Sequence, residues 1–334
     1  YSIFQGRSMS PDIILCQEFT TSAAYTAFRN ILNSAPGSPG DWAMAPYVPG
    51  PDTLSACFYR TSKVTYLGYT IVVNGGPAPA PPRNVLRYDV RLVGYTSAAT
   101  TLGCYVTHMK AGTTGSDLAR RLVEAQAIRT NAQNLDPQRN FLIGGDLNIQ
   151  SSTEAAYSYL VDSQSNNQGR FFDPINSPGT WNHNDWFHFV HTQDPSLAPG
   201  MDDRYDQILL CGQLVDGDGF EYLGNPSVPY STTTWNDANH SYRAWGNDGT
   251  SYGTTLTITN NQMVGAAIAQ AIVNVATTAG GHIPAFLDLR VPAVVGSDVT
   301  LDFGQVPQNS IAEQTLNVWN VGNVALWTAA GIDT

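Results

Sequence analysis

The sequence predicts an α+β fold in which two β-sheets are stacked on each other and flanked by helices. Three observations predict it. Short apolar runs typical of buried strands recur along the first 292 residues. Segments with helical spacing separate some of these runs, but no regular βαβ repeat is present. Residues 299–307 and 314–323 alternate apolar and polar side chains, which predicts a separate β-rich tail.

The first predicted elements are a strand and a helix. Residues 11–18 form an apolar run without polar alternation, so this strand is expected to be covered on both faces. Residues 20–33 follow with Ala24, Phe28 and Leu32 at helical spacing. Thus the chain is expected to begin with a strand–helix unit.

Four strands and a second helix are predicted next. The strands are expected at residues 54–59, 64–73, 85–93 and 102–108. The helix is expected at residues 117–135, with Ser116 or Asp117 as its N-cap. Residues 74–83 are rich in Pro and Gly and are predicted to form a loop.

The next predicted strand leads to a sharp turn. Residues 141–143 are apolar, and Gly144 and Gly145 are expected to break the strand. Asp146 and Asn148 follow, and in an extended segment side chains two positions apart point the same way. We therefore expect a carboxylate and a carboxamide side by side at the rim of a sheet.

The second half of the chain is richer in loops. Residues 163–199 and 225–253 are polar, long and weakly periodic. A strand with an acid at its start is predicted at residues 204–210. An Ala-rich run at residues 263–279 is predicted to be a buried helix rather than a membrane anchor, because Gln and Asn interrupt it. A turn, His282 and a last strand follow.

Composition restricts the function. The chain has 334 residues, of which 13% are charged, and its formal net charge is −11. Lysine occurs only at positions 63 and 110. This charge argues against a basic groove that holds a long duplex by counterion release. It leaves open a local arginine-lined site or a bound cation that offsets acidic groups.

The cysteines and the overall polarity bear on localisation. The four cysteines lie in apolar runs without a C-x-x-C pair, so we expect small buried thiols and neither a zinc site nor a disulfide framework. Low lysine, low charge and abundant Thr, Asn and Gly indicate an exported protein, extracellular or at the cell surface. No signal peptide is visible at Tyr1, and we expect one to have been removed before this numbering begins.

Polar residues recur where the predicted apolar strands end. They are Glu18, His108, Asp146 with Asn148, Asp206 and His282. Each has an ordinary alternative: Glu18 can cap the following helix, Asp206 can pair with Arg204, and each histidine can be a satisfied core residue. The histidines at 183, 188 and 191 form only a weak metal-ligand pattern, for which loop packing or substrate contact is the preferred interpretation.

Five short motifs in order resemble the endonuclease/exonuclease/phosphatase superfamily, which has the deoxyribonuclease I-like fold. They are Gln17-Glu18, Thr107-His108, Gly145-Asp146-Leu147-Asn148, Arg204-Tyr205-Asp206 and Gly281-His282-Ile283-Pro284. Residues 200–206 and 246–249 resemble a bacterial exported branch of that family. Residues 301–304 resemble the start of an immunoglobulin-like repeat of the ASPM/SPD-2/hydin type. The implied domains are residues 1–292 and a partial immunoglobulin-like segment at residues 293–334.

The resemblance implies a four-layer α/β/β/α sandwich of mostly antiparallel sheets and metal-assisted hydrolysis of phosphodiesters. Glu18 would hold Mg²⁺, with Mn²⁺ or Ca²⁺ as alternatives. His108 and Asn148 would donate to phosphate oxygens, and Asp146 would orient or deprotonate the attacking water. His282 would be the general base, with its tautomer set by Asp206. At the strand ends, Arg60 and Arg87 are interpreted either as phosphate contacts or as surface arginines.

Two departures from the family pattern keep other functions open. Gly281 precedes His282 where the family usually has an Asp, and neither the first strand of the family nor its Asn is evident before residue 11. A nuclease acting on nucleic acid is the leading prediction. A sphingomyelinase-like enzyme acting on a phospholipid headgroup is the first alternative, with the aromatic loop at residues 181–189 for membrane docking. A catalytically degenerate domain used for binding or adhesion is the second.

Overall fold

In the computed structural model, two β-sheets pack face to face and carry helices on their outer sides. The structure describes residues 1–276, 281–293, 295–297 and 300–320. In chain order the elements are β1 (Ser2–Phe4), β2 (Arg7–Met9), β3 (Ile13–Phe19), α1 (Ser22–Ser34), β4 (Trp42–Met44), β5 (Leu54–Arg60), β6 (Val64–Val73), β7 (Val85–Leu92), β8 (Thr101–His108), α2 (Gly115–Gln133), β9 (Asn140–Asp146), α3 (Ala155–Val161), β10 (Phe171–Phe172), β11 (Asp206–Cys211), β12 (Glu221–Tyr222), β13 (Arg243–Ala244), α4 (Gly265–Val275), β14 (Ala285–Phe286), β15 (Leu289–Arg290), β16 (Val295–Ser297) and β17 (Val318–Asn320).

The larger sheet has six strands in the order β10-β11-β9-β8-β7-β6. Its neighbours pair antiparallel except β8 and β9, which run parallel. A parallel pair needs a crossover connection, and α2 lies within it. The prediction of mostly antiparallel sheets is confirmed.

The smaller sheet has three antiparallel strands in the order β3-β5-β4. It packs on the larger sheet so closely that a Cβ atom added at Gly144 would lie 3.0 Å from Leu15 Cδ1. Helix α1 covers its other face, where Tyr25 packs with Phe58. On the far side of the larger sheet, Tyr105 donates to Asn131 of α2 at 2.7 Å. The four-layer α/β/β/α sandwich is therefore confirmed.

The N-cap of α2 is Thr114, and not Ser116 or Asp117 as predicted. The Thr114 hydroxyl accepts a hydrogen bond from the Asp117 backbone N–H, and the Asp117 carboxylate accepts one from the Thr114 N–H. This reciprocal capping box satisfies two helix-terminal donors at once, which a cap at either later residue would not do.

Gly144 and Gly145 do not break the strand before Asp146, contrary to the prediction. β9 continues through both glycines, and Gly145 has φ +152°. A Cβ atom there would lie 2.0 Å from the Thr107 carbonyl oxygen. These glycines therefore permit close contact with neighbouring strands, and the chain turns only at Asn148, which has φ +51°.

Helix α4 is not buried, contrary to the prediction. Within it only Ala269 is buried, and Val275 is 88% exposed. One side of the helix places Ile272 against a small cluster that contains Met201 and Ile283. Alanine is equally compatible with a buried helix and a peripheral one, so composition misled the prediction. Among the described helices, none is both long and apolar enough to cross a bilayer.

The tail has less regular structure than predicted. β16 and β17 pair antiparallel, but residues 300–317 between them form no strand. The predicted strand at residues 299–307 is therefore wrong over its described part. Most of residues 300–320 are exposed, so no packed face favours the alternating pattern there. Residue 299 and residues 321–334 lie outside the described residues.

Candidate active site

Three strands of the larger sheet bring polar side chains to one edge. β8 ends at His108, β9 ends at Asp146, and β11 begins at Asp206. The parallel register places His108 opposite Asp146, and the antiparallel register places Asp206 opposite Asp146. Three residues that are up to 98 positions apart in the sequence therefore stand in one row.

His282 reaches this row from a later turn. Thr192 holds the two segments together: its hydroxyl accepts from Asp206 N at 3.2 Å, and its carbonyl accepts from Ile283 N at 2.9 Å. His282 Nδ1 lies 2.6 Å from Asp206 Oδ2. Because Asp206 engages Nδ1, the opposite nitrogen Nε2 is the one available to a substrate.

His108 lies between two carboxylates. Its Nε2 is 3.3 Å from Asp146 Oδ2, and its Nδ1 is 3.6 Å from Glu18 Oε1. The second distance exceeds a hydrogen bond, so the buried Nδ1 has no partner among the described residues. Glu18 itself has φ +67°, and its side chain is 66% exposed. The row is therefore buried at Asp146 and open at Glu18.

Asn148 joins the site through a turn and not through an extended segment. Its backbone N–H donates to Asp146 Oδ1 at 2.8 Å, and its carboxamide donates to the Met109 carbonyl at 3.2 Å. A carboxamide has two N–H donors, so one remains for another acceptor. Asn148 therefore orients Asp146 through its backbone and keeps a donor beside it.

The carboxylates of the row hold a proton on His282. Burial alone lowers the pKa of His282, but the Asp206 carboxylate, aided by Asp146 and Glu18, outweighs it and raises that pKa to about 10. Burial and the neighbouring Asp206 raise the pKa of Asp146, although His282 opposes this shift. At neutral pH, His282 is therefore the cation of the site.

His108 behaves in the opposite way. Burial lowers the pKa of His108 to about 4, and the charges of Arg83 and His282 lower it further. At neutral pH, His108 is therefore uncharged and can donate one ring N–H. The two histidines of the site differ in charge because the Asp206 carboxylate outweighs burial at His282, whereas burial dominates at His108 and two nearby cations act in the same direction.

Neither Arg60 nor Arg87 is brought into the site, contrary to their interpretation as phosphate contacts. Because β5 runs antiparallel to β3, Arg60 lies at the end of the sheet opposite Glu18, where it pairs with Asp41. Arg87 lies under α2, where it contacts Asp89 at 2.8 Å and Asn131 at 2.5 Å. Both arginines are 8% exposed, so the alternative of surface arginines is also wrong.

Sequence reasoning missed Arg83. Its Nη1 lies 3.3 Å from the His108 carbonyl and 3.4 Å from the Met109 carbonyl, and its Nη2 lies 3.3 Å from Asp52. It sits at the end of a Pro/Gly-rich loop with no periodic pattern. The available signal was that Arg83 is the only cation of residues 74–84.

The donor set around Glu18 fits a hydrated Mg²⁺. This exposed carboxylate offers oxygen ligands at the open end of the row. Mg²⁺ usually keeps several waters and binds one or two carboxylates together with substrate phosphate. Within the described ranges, the only group of three His, Cys, Asp or Glu ligand atoms lying within 4.8 Å of one another is His183, Asp202 and Asp203, so Glu18 belongs to no closed protein cage.

The aromatic loop after residue 180 is largely packed. Trp181 is fully buried and Phe189 is 8% exposed, whereas Trp186 is 66% exposed. His191 is buried with its Nε2 2.9 Å from the Trp181 carbonyl, and His188 contacts Asp185 instead. The preferred loop-packing interpretation holds for His191, and the three histidines do not form one cluster.

The cysteines are buried thiols, as predicted. All four are free, three are buried, and Cys16 is partly exposed. Burial raises the pKa of Cys104 to about 12, so this thiol stays protonated and unreactive at neutral pH.

No protein-family model matches the chain, and no curated protein matches it. Several solved structures are similar. D. rerio TDP2 complexed with single-strand DNA product is 15% identical, with 64% of this chain and 75% of that chain covered and a TM-score of 0.41. A β-hairpin deletion mutant of beta toxin from Staphylococcus aureus is 14% identical, with 68% of this chain and 81% of that chain covered and a TM-score of 0.41.

An endonuclease/exonuclease/phosphatase family protein from Bacteroides thetaiotaomicron is 13% identical, with 60% of this chain and 69% of that chain covered and a TM-score of 0.39. At these identities and TM-scores, the similarities assign neither a family nor a function to this chain.

Proposed function

We propose that this protein is a divalent-metal-dependent phosphodiester hydrolase. The observation that carries the proposal is the row of Glu18, His108, Asp146, Asp206 and His282 at one sheet edge, in which an Asp-bound histidinium faces a buried, partly protonated carboxyl group. The pKa values of both groups are raised, by the Asp206 carboxylate at His282 and by burial at Asp146, and strongly perturbed pKa values are typical of groups that exchange protons during catalysis.

The protonation states favour His282 as a proton donor and Asp146 as a base. His282 carries a proton at neutral pH and can donate it from Nε2 to a phosphoryl or leaving oxygen. Asp146 has a raised pKa, which makes its ionised form a stronger base toward an attacking water. This reverses the general-base role that the family resemblance implies for His282, because three carboxylates surround that ring.

The remaining residues bind and orient the phosphate. Neutral His108 and the free amide hydrogen of Asn148 are donors to non-bridging oxygens, on which negative charge builds in the transition state. Glu18 would hold Mg²⁺, with Mn²⁺ or Ca²⁺ as alternatives. The ion, when bound, would supply Lewis-acid polarisation of a phosphoryl oxygen.

Nucleic acid is the substrate class that we favour over a phospholipid headgroup. The net charge of −11 argues against a long basic groove, so we expect short or single-stranded segments held locally near Arg83. A lipid substrate would require a membrane-docking surface. Of the aromatic residues that suggested one, Trp181 and Phe189 are buried, which weakens that alternative.

We also propose an exported location and an immunoglobulin-like nature for residues 293–334. Low lysine content and low overall charge support the first. Motif resemblance alone supports the second. The missing Asp at Gly281 supports a competing proposal, in which the domain binds ligands or surfaces without catalysis.

The test is a hydrolysis assay of the purified chain with Mg²⁺, Mn²⁺ or Ca²⁺. Substrates would be single-stranded DNA, plasmid, RNA, bis-p-nitrophenyl phosphate and sphingomyelin vesicles. We expect EDTA-sensitive hydrolysis of nucleic acid and a loss of about 10³-fold in His282→Ala. His188→Ala, outside the row, is the matched control and should retain full activity. Full activity in His282→Ala would refute the assigned site, and inactivity with every metal would favour the binding function.

A further inference from the structure

A second group of metal-ligand side chains lies outside the row of active-site residues. It consists of His183, Asp202 and Asp203, each of which offers one atom within 4.8 Å of the others. His183 lies in the long loop, just before a short 3-10 helix at Asp185–Val190. The two aspartates lie immediately before β11. His183 N donates to the Asp202 carbonyl at 2.9 Å, so the backbone itself holds the loop against the start of this strand.

The two carboxylates of this group are buried and incompletely satisfied. Asp202 is 3% exposed and Asp203 is 5% exposed. Asp202 Oδ2 contacts His183 Nδ1, whereas the buried Asp202 Oδ1 has no hydrogen-bond partner within the described part of the chain. A buried carboxylate oxygen without a partner is costly unless another group binds it. This orphaned oxygen sits on the carboxyl group that already touches the imidazole.

The adjacent cation does not compensate these charges. Arg204 is next in sequence, but its two terminal nitrogens each lie 2.9 Å from the Asp173 carboxylate. Neither Asp202 nor Asp203 forms an ion pair with a lysine or arginine among residues 1–276, 281–293, 295–297 and 300–320. The neutral amide of Asn182 binds Asp203 Oδ1. The two buried carboxylates therefore lie near one imidazole, which contacts Asp202.

We propose that His183, Asp202 and Asp203 bind a divalent transition cation, Zn²⁺ or Mn²⁺, at a site separate from Glu18. One imidazole and two carboxylates form a mixed nitrogen and oxygen donor set, which suits these ions better than Mg²⁺, which prefers oxygen ligands alone. The ion would take the place of the proton that lies between His183 and Asp202, and the neutral imidazole would carry its proton on Nε2 instead. The charge of the ion would offset both carboxylates.

The position of the site indicates a structural role. Asp203 accepts a hydrogen bond from Thr192 N at 2.7 Å through its carbonyl. The same Thr192 holds both Asp206 and the segment of His282. An ion that joins His183 to the two aspartates would therefore fix the loop against the backbone on which the active-site pair depends. We expect it to raise thermal stability and to leave proton transfer to other groups.

The proposal is tested by titrating the metal-free full chain with Zn²⁺ and with Mn²⁺, using calorimetry for binding and thermal unfolding for stability. Loss of one ligand typically weakens binding, and we expect about 10- to 100-fold in His183→Ala and in Asp202→Asn. Glu18→Gln should retain this binding, since it removes only the other predicted metal ligand. Asp185→Asn, an exposed acid of the same loop, is the matched control.

Independent readouts keep the test decisive. Zn²⁺ should raise the unfolding temperature of the parent chain, and this effect should disappear in His183→Ala. His183 is exposed, so this variant should fold even if Asp202→Asn does not. Equal affinity and stoichiometry in the parent chain and His183→Ala would overturn the proposal. Binding of Ca²⁺ or Mg²⁺ but not of Zn²⁺ or Mn²⁺ would overturn the assigned class of ion.

Discussion

Two regions of this molecule hold buried charges in opposite ways. At the edge of the larger sheet, His108 Nδ1 has no partner among the described residues, and Asp146 stands beside another carboxylate. Deeper in the fold, the fully buried Arg204 forms two hydrogen bonds of 2.9 Å to one Asp173 carboxylate. Charges at the edge are left partly uncompensated, whereas the interior charges form a bidentate pair in which two guanidinium nitrogens bind the two carboxylate oxygens.

The difference separates groups that can change protonation from groups that cannot. Although burial raises the pKa of Asp173, Arg204 outweighs it and lowers that pKa, so the pair stays ionised. The guanidinium also lies 5.0 Å from the centre of the Trp181 ring. At the edge, burial and like charge raise the pKa of Asp146 instead. Partial compensation therefore marks the candidate site better than burial or charge alone.

The largest expected effect is that of Asp206→Asn on catalysis. The substitution keeps the shape of the side chain but removes the charge that holds the proton on His282, so the pKa of His282 should fall. We expect kcat to decrease about 10³-fold, measured with bis-p-nitrophenyl phosphate across a pH series. The free energy of unfolding should change far less than activity. An unchanged pH profile would contradict the assignment of His282 as the proton donor.

Arg204→Met should produce the largest loss of stability. Without the guanidinium, Asp173 is left as a buried and unpaired charge, at a cost of about 3–5 kcal/mol. Urea unfolding at pH 7 measures this loss. Arg29→Met is the matched control, because the exposed Arg29 hydrogen-bonds to the neighbouring Asn30 and to no other described residue, so it should change stability by less than about 0.5 kcal/mol. Similar losses in both variants would remove the distinction between the matched pair and an ordinary arginine.

The sequence predicted the edge of the sheet well because two local signals coincide there. An apolar run indicates a buried strand, and the polar residue that ends it must lie at an edge of the sheet. His108 and Asp146 follow this rule, Asp206 directly precedes the apolar run of its strand, and the three meet in register. The four-layer architecture followed from family resemblance, since periodicity alone indicated only stacked sheets with flanking helices.

The buried arginines could not be predicted in the same way. Arg87 and Arg60 also occur at predicted strands, but their partners Asn131 and Asp41 come from segments 44 and 19 residues away. No local pattern in the sequence indicates that such a partner exists. Arg83 was missed for the opposite reason, because its loop has no period and only the tertiary fold brings it to His108.

Glu124 is an intermediate case, since it is a buried carboxyl group with hydrogen bonds but no ion pair in the described structure. It accepts hydrogen bonds of 3.1 Å from the Thr107 hydroxyl and from Lys110 N. Burial raises the pKa of Glu124 to about 8. The folded state therefore keeps a proton that the unfolded state has already lost, so stability should fall as pH rises from about 4.5 toward 8.

Glu124→Gln should remove this pH dependence. Gln keeps an oxygen that accepts from Lys110 N and carries no charge, and its N–H₂ group replaces the oxygen that accepts from the Thr107 hydroxyl, which can accept a hydrogen bond in turn. We expect the variant to equal the parent chain at pH 4 and to exceed it by about 2 kcal/mol at pH 8.5. Urea unfolding at both values of pH measures the difference. A variant that is less stable than the parent at pH 8.5 would indicate that Glu124 is ionised in the fold.

The smallest effects should come from Arg83 and Arg87, and they should differ in kind. Arg83→Gln removes the cation beside His108, and we expect KM for a nucleic acid substrate to rise about 5- to 10-fold, with little change in stability. Arg87→Gln breaks the contacts with Asp89 and Asn131, so we expect a loss of about 1–2 kcal/mol in stability and an unchanged KM. Initial rates give KM for both variants, and urea unfolding gives their free energies of unfolding. A rise in KM for Arg87→Gln and not for Arg83→Gln would identify Arg87 as the phosphate contact. The contrast between paired interior charges and uncompensated edge charges would then not hold for these two arginines.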